Sequence, residues 1–365
     1  MSGFIEIPLS DIRDTGPVQF AIDARERAFA LGEECLGWLP GWVRSLLPAM
    51  DAVTRRWLRR SRSPYVGEIE SISRALGYPG IWFLNGTYQW GCTALARDED
   101  ALPWLVRTLD WPFPGLGRRL EITRMRGTAG EFFNVTWPGY VGALTASAPG
   151  RFAAAINQAP LWRRTGAPWL RPYDLAANAI RTWSITFCPP DHLLREVFER
   201  CRDFDEARHR LETVAIARPV IFTLVGTRAG ERCVIERTEQ GFSSRDESTW
   251  AANDWLDAGK PWEARISPRM LLRASCEEAA ANSRARCDAL SAWSEPFCQA
   301  KLAWVMPPVL NPYTRCAIEM CPARGILAAA GYEIVPGDDL PSRVTQVREV
   351  LSAPGHETAT AGAVA

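Results

Sequence analysis

Histidine is scarce in this chain, and that shapes the chemistry open to it. His192 and His209 fall in a charged stretch with helical periodicity, and His356 lies among the small, polar last residues. A histidine base is therefore disfavoured, and with it Ser-His-Asp, Cys-His and histidine–zinc arrangements. One cluster offers another base: Trp90-Gly91-Cys92-Thr93, followed by Arg107-Thr108-Leu109-Asp110-Trp111. If the bond between Gly91 and Cys92 were cut, Cys92 would carry a thiol and a free α-amine. An α-amine has an ordinary pKa near 8 and is a competent base at neutral pH, so nucleophile and base would travel on one residue. Arg107 can favour a thiolate, and Asp110 can orient the amine. Each feature alone has a plainer meaning, since most lone cysteines are buried small hydrophobes and most Arg-x-x-Asp pairs are structural ion pairs. Their combination points to chemistry.

The background fits a small-molecule enzyme. The 365 residues are 47% hydrophobic and 23% charged, enough for one large core or two ordinary ones, and 42 basic residues balance 42 acidic ones. No charge excess draws the chain to nucleic acid. The first residues carry acids early and lack a basic segment followed by an apolar run, and no run of about 18 apolar residues occurs, so neither a secretory leader nor a membrane span is expected. The expected location is cytoplasmic, with peripheral membrane contact left open. The ten cysteines are irregularly spaced and are expected to be mostly reduced and buried; Cys316 and Cys321 lack the partners of a zinc site, so no metal and no cofactor is expected.

The elements that must position the cluster follow from periodicity. Residues 1–60 look helical, with Trp42, Val43, Leu46, Leu47 and Met50 at helical spacing before Arg55, Arg56, Arg59 and Arg60. Such a helix either faces the core with a solvated basic edge or lies on an anionic membrane. From Cys92 onward short apolar runs bounded by Gly and Pro suggest strands at residues 104–107, 140–145, 151–158 and 314–320, and a hairpin at 219–238. Residues 191–214 read as one amphipathic helix covering a sheet, residues 268–294 as another helix, and 352–365 as a disordered tail. Strands and helices mixed in this way argue for an α+β fold of antiparallel sheets covered by helices. No dinucleotide or phosphate-loop motif is present.

The same motifs carry a resemblance. Cys92-Thr93 and then Arg107-x-x-Asp110-Trp111 resemble the Cys-Thr-Ser and Arg-Asn-x-Asp-Phe/Trp hallmarks of the acid ceramidase and N-acylethanolamine acid amidase-like family, within the choloylglycine hydrolase superfamily of N-terminal-nucleophile hydrolases. Further matches keep their order: Gly139-Tyr-Val-Gly-Ala-Leu-Thr, Pro149-Gly-Arg-Phe leading to Ile156-Asn157, the segment from Gly226 to Arg237, Ala252-Asn253-Asp254, Ala264-Arg265-Ile-Ser-Pro, and Pro308-Val-Leu-Asn311. They run from about Gly67 to Tyr332. Thr108, Val106, Ala94 and Ala252 depart from the usual Asn, Gly, Ser and Thr, which implies a substrate preference of its own.

The resemblance implies an αββα sandwich with antiparallel sheets (92–351) behind a helical N-terminal segment (1–91). It implies autocleavage between Gly91 and Cys92, with the two products staying associated. It makes Cys92 nucleophile and amine base, Arg107 and Asp110 its tuning pair, Asn253 an oxyanion donor, Arg265 a further site residue, and Trp111 and Asn157 substrate contacts. The expected substrate is a linear N-acyl amide, with an apolar acyl chain in a channel between the N-terminal helices and Trp111-Pro-Phe-Pro. Two alternatives stay open: an acyltransferase passing the acyl group to an amine, and a silent fold acting through its basic, Trp-rich segment at a membrane.

Overall fold

A computed structural model describes residues 3–37, 40–86, 91–256, 262–265 and 274–351. The expected tail 352–365, residues 268–273 of the late helix, and Trp90 lie outside them. The chain opens with a short strand β1 (Leu9–Asp11), then helices α1 (Gly16–Asp23), α2 (Arg25–Gly37), α3 (Gly41–Ser45), α4 (Leu47–Leu58), α5 (Val66–Leu76) and α6 (Ile81–Gly86). Strands β2 (Gly91–Glu99), β3 (Leu102–Asp110), β4 (Glu121–Gly127), β5 (Gly130–Thr136), β6 (Thr145–Ala148), β7 (Phe152–Gln158) and β8 (Leu161–Trp162) follow, then helices α7 (Arg171–Ser184), α8 (Pro190–Arg200) and α9 (Phe204–Thr213). Next come β9 (Val220–Val225), β10 (Arg232–Arg237), β11 (Phe242–Arg245), β12 (Trp250–Ala251) and β13 (Trp262–Glu263), helices α10 (Cys276–Ser291) and α11 (Phe297–Ala300), and β14 (Thr314–Cys321), β15 (Ile326–Glu333), β16 (Ser342–Arg343) and β17 (Arg348–Leu351).

These strands build two facing sheets, ordered β1-β4-β5-β6-β7-β9-β10-β11 and β12-β2-β3-β14-β15-β16, with β17 also on β15. A two-strand ribbon joins β8 to β13. Alternation along each strand sends one set of side chains inward and the next outward. The inward set, including Leu105 and Leu109 of β3, Phe133 of β5, Ala153 and Ala155 of β7, and Ile318 of β14, forms the core between the sheets. The outward set of the first sheet packs under α8 and α9, where Phe152 and Phe132 meet Phe198. The outward set of the second packs under α10 and α11 through Leu95, Trp104 and Val106 against Leu290 and Phe297. The result is the four-layer α-β-β-α architecture that the sequence motifs implied. Helices α1, α2, α4, α5 and α6 pack on one another around Trp57, Ile69, Ile72 and Trp82. No helix among the described residues is long and apolar enough to cross a membrane.

Three sequence expectations are corrected. The N-terminal segment is not wholly helical: Ile5, Ile7 and Leu9 alternate, and β1 pairs in parallel with β4 while Ile5 bridges to Thr345. Residues 140–144 do not form a strand, which begins only at Thr145. Here side chains satisfy the backbone in place of a ladder: Asn85 donates to Gly139 O and accepts from Val141 N. Gly139 sits at φ +88°, and a Cβ on Gly142 would lie 2.5 Å from Asp191 Oδ2. Residues 191–214 form two helices, broken at 201–203, where Asp203 caps the second by accepting from Glu206 N. Both halves cover the same sheet, so the apolar periodicity runs through the break.

Candidate active site

Strand pairing places Cys92. In the β2–β3 ladder Gly91 lies opposite Asp110, Cys92 opposite Leu109, and Ala94 opposite Arg107. Alternation then puts the Cys92 and Arg107 side chains on the face between the sheets and Asp110 on the other. Arg107 Nη2 donates to Cys92 Sγ at 3.0 Å and to Ile156 O at 2.9 Å, and its Nη1 donates to Thr145 Oγ1 at 2.7 Å. Arg107 is fully buried and forms no ion pair among the described residues. Cys92 is 1% exposed. Burial pushes its thiol above the ordinary range, Arg107 pulls it down, Asp110 raises it and Arg286 lowers it, and burial is the largest effect.

The backbone side of Cys92 is organised from the opposite face. Strand β12 pairs with β2 at Ala94 and Leu95, and the chain leaving β12 brings Asn253 beside Cys92. Asn253 Oδ1 accepts from Cys92 N at 2.9 Å and from Arg286 Nη2 at 3.0 Å, while its Nδ2 donates to Gln158 O at 2.9 Å. Two donors on one oxygen fix which way the amide faces. Asn253 therefore meets Cys92 through its carbonyl oxygen, with its Nδ2 turned to Gln158.

Arg286 is the residue that sequence reading missed. It projects from α10 and donates through Nη1 to Cys92 O at 2.7 Å and Thr93 Oγ1 at 3.0 Å, with Asp110 Oδ2 3.6 Å away. One turn earlier on the same helix face, Ser283 Oγ accepts from Asn253 N at 2.9 Å. The helix itself was legible, since Ser275 and Glu278 form a reciprocal capping box. Nothing local marks which of its arginines turns inward. Asp110 is held by Thr314 Oγ1 on Oδ1 at 2.9 Å and by Asn311 Nδ2 on Oδ2 at 2.8 Å. Arg107 and Asp110 are thus not partners of each other: they approach Cys92 from opposite faces of one strand end.

Gly91 is not strained, because it lies within β2 and its φ is outside the left-handed region. Its value here is space: a Cβ would sit 3.3 Å from Asp110 Cβ and 3.7 Å from Asn253 Oδ1. Arg265 stands further out. Its backbone N donates to Asn253 O at 3.1 Å, but its side chain donates to Ala159 O, and burial beside Arg218 lowers its pKa to about 10. Asn157 Nδ2 donates to Ala251 O and Ala252 O, tying β7 to the approach of Asn253, and its buried Oδ1 has no partner among the described residues. Trp111 continues from Asp110 into the wall of a cavity of about 370 Å³. That cavity is lined by Leu31, Leu47, Ile81 and Leu84 of the N-terminal helices and by Phe113 and Leu116, where a channel was expected. Trp42 is not among its walls and is 70% exposed. His192 lies elsewhere, fully buried with Nδ1 2.7 Å from Ser63 Oγ. No group of three or more His, Cys, Asp or Glu among the described residues could hold a metal ion.

Comparison with known proteins gives the geometry a context. The N-acylethanolamine-hydrolyzing acid amidase of Cavia porcellus is 26% identical over 185 residues, 49% of this chain and 49% of that protein. A probable acid ceramidase of Caenorhabditis elegans is 24% identical over 215 residues, 53% of this chain and 52% of that protein. The matched region spans about half the length of these curated relatives. No family model matches. Among solved structures, the Caenorhabditis elegans N-acylethanolamine-hydrolyzing acid amidase ortholog superposes with a TM-score of 0.47 at 16% identity, covering 64% of this chain and 93% of that one. A mutant conjugated bile acid hydrolase from Clostridium perfringens gives 0.38 at 9% identity, covering 72% and 97%. Over about half of its length the chain is thus similar to an N-acylethanolamine-hydrolyzing acid amidase and to a probable acid ceramidase.

Proposed function

We propose that this chain is a self-processing cysteine amidohydrolase that cleaves a linear N-acyl amide. The observation that carries the reading is the placement of Cys92, with its sulfur on the Arg107 guanidinium at 3.0 Å and its backbone N on Asn253 at 2.9 Å. In the first stage Cys92 Sγ attacks the Gly91 carbonyl carbon. The C–N bond breaks, the nitrogen takes the proton and becomes the α-amine, and a thioester forms. Water cleaves that thioester, releasing residues 1–91 with a new carboxylate and freeing the thiol. In the second stage the amine takes the thiol proton as sulfur attacks a substrate amide, then returns a proton to the departing amine. Water hydrolyses the acyl-enzyme to the acid.

Around these steps Arg107 favours the thiolate, and Arg286, Asn253 and Asp110 hold the amine end. An oxyanion donor is worth about 3 kcal/mol in such chemistry. Asn253 Nδ2 can serve if cutting before Cys92 lets the amide turn from Gln158. The apolar cavity beside Trp111 suits an acyl chain, and Asn157 Oδ1 is a buried acceptor for a substrate N–H. Packing of α1, α2, α4, α5 and α6 on one another and on Val141 and Ala217 suits two products that stay together. Peripheral membrane contact through the exposed Trp42 and Leu46 would give access to such a substrate.

Intact-mass measurement of wild type beside Cys92→Ala tests the first stage: fragments 1–91 and 92–365 are expected from wild type alone. Hydrolysis of N-acyl amides of graded chain length by the cut form, with and without added amine, tests the second. An uncut wild-type chain between pH 4.5 and 7.5 with no turnover would overturn the proposal.

A further inference from the structure

Strand pairing fixes where Asp110 stands but not how its carboxylate is turned. Asp110 ends β3 opposite Gly91 and is 4% exposed. A carboxylate has two oxygens with about four acceptor sites, and rotation about one bond decides which oxygen faces which neighbour. Two donors on the far side of the strand make that choice. Thr314 Oγ1 donates to Oδ1 at 2.9 Å, and Asn311 Nδ2 donates to Oδ2 at 2.8 Å. Thr314 reaches Asp110 through a break in register. In the β3–β14 ladder Cys316 lies opposite Leu109, so a regular ladder would bring Arg315 opposite Asp110; one extra residue in β14 brings Thr314 there instead. Since faces alternate along a strand, the bulge sets the short hydroxyl of Thr314 on the same face as the carboxylate, and Arg315 Nε turns to Phe113 O. Asn311 is held as firmly. Its Oδ1 accepts from Tyr313 N at 3.0 Å, its backbone N donates to Thr314 Oγ1 at 3.0 Å, and its O accepts from Thr314 N at 2.9 Å.

The consequence falls on the other side of the carboxylate. Oδ2 lies 3.6 Å from Arg286 Nη1, beyond hydrogen-bond reach, while that Nη1 donates to Cys92 O at 2.7 Å and Thr93 Oγ1 at 3.0 Å. A buried carboxylate free to turn would close on this guanidinium, because the pair attracts strongly away from water. Arg286 would then be drawn off Cys92 O and off Asn253 Oδ1, which accepts from its Nη2. Held as it is, Oδ2 also lies 3.5 Å from the position of a Cβ on Gly91, beside the bond before Cys92.

We infer that Asn311 and Thr314 are positioning residues, a clasp that keeps Asp110 Oδ2 toward the amine end of Cys92 and off Arg286. This role rests on the amidohydrolase reading, and wild type is measured first so that the two fail separately. Thr314→Val keeps the shape of the side chain and loses its donor; Thr314→Ser keeps the donor. Asn311→Asp keeps the acceptor for Tyr313 N and sets a second carboxylate against Asp110. Self-cleavage followed by intact mass should slow at least ten-fold in Thr314→Val and further in Asn311→Asp, and return to the wild-type rate in Thr314→Ser. In the cut form, a carboxylate beside the Cys92 amine favours its protonated state. Turning it away should move the acid limb of the kcat profile for N-acyl amide hydrolysis down by about one pH unit, with KM within two-fold of wild type. A loss of packing alone would lower the thermal midpoint and leave that limb in place. The inference is overturned if wild type cuts itself and both Thr314→Val and Asn311→Asp do so at its rate, if the acid limb stays where it is, or if Thr314→Ser fails to restore what Thr314→Val loses. Should Thr314→Val not fold, Asn311→Asp carries the same test. A wild type that neither cuts itself nor hydrolyses amides overturns the amidohydrolase reading itself, and the role of the clasp with it.

Discussion

Arg107→Gln separates the demands of the site from those of the fold. Arg107 is a fully buried cation 3.0 Å from Cys92 Sγ with no carboxylate partner among the described residues. At that distance and an effective dielectric constant of about 20, a unit charge favours thiolate over thiol by about 5.5 kcal/mol, or about four pH units of acidity. Delocalisation over the guanidinium and the dipole of the replacing amide reduce this to about two units. Burial already holds the thiol high, so the variant should have about 100-fold less thiolate at neutral pH. Self-cleavage should slow by that factor at pH 7, and its pH profile should move up by about two units, followed by intact mass over time. Stability should not fall in step, because removing an uncompensated buried charge relieves desolvation while glutamine can still donate to Thr145 or Ile156. Arg107→Lys should lie between the two, since it keeps charge but not the three-way donor geometry. A glutamine variant that cuts itself at the wild-type rate with the wild-type pH profile would refute the assignment of Arg107 to the sulfur.

Three further outcomes follow from the same geometry. Arg286→Ala removes the donors to Cys92 O, Thr93 and one side of Asn253. It should slow self-cleavage 100-fold or more and lower stability by about 3 kcal/mol, with Arg286→Lys recovering part of both; urea titration beside intact mass would check this. Glu319 is buried and accepts from Leu302 N and Trp304 Nε1, and burial raises its carboxyl pKa from 4.5 to about 7. The folded state holds this proton more tightly than the unfolded one, so stability from this group is full below pH 4.5 and falls away as pH rises through 7, by about 3 kcal/mol at most. Comparing urea midpoints of wild type and Glu319→Gln from pH 4.5 to 8 should show that slope in wild type alone. Leu84→Trp fills part of the cavity between the helices and Trp111, and should raise KM for long-chain amides ten-fold or more while sparing short ones; equal effects on both would place the acyl chain elsewhere.

Local signals determined much of this protein. Scarcity of histidine, the Gly91-Cys92-Thr93 step and the later Arg107 and Asp110 are one-dimensional facts, and they named a cluster that pairing of β2 with β3 then brings together. Short apolar runs bounded by Gly and Pro likewise made β3, β7, the β9–β10 hairpin and β14 legible, because strands buried on both faces and the turns that end them are marked over a few residues. Tertiary structure decided what depends on partners far along the chain. Arg286 was one of two arginines on α10, and only packing of α10 over β2 turns it to Cys92 rather than leaving that place to Arg265. Asn253 takes its orientation from two donors remote in sequence, and residues 140–144 leave the sheet because Asn85, more than fifty residues earlier, takes their hydrogen bonds. The face of α7 was decided in the same way: Arg171 and Asp174 point inward because Glu263 and Arg163 wait there, and a helix with polar and apolar stripes carries no local mark of which one the protein will bury.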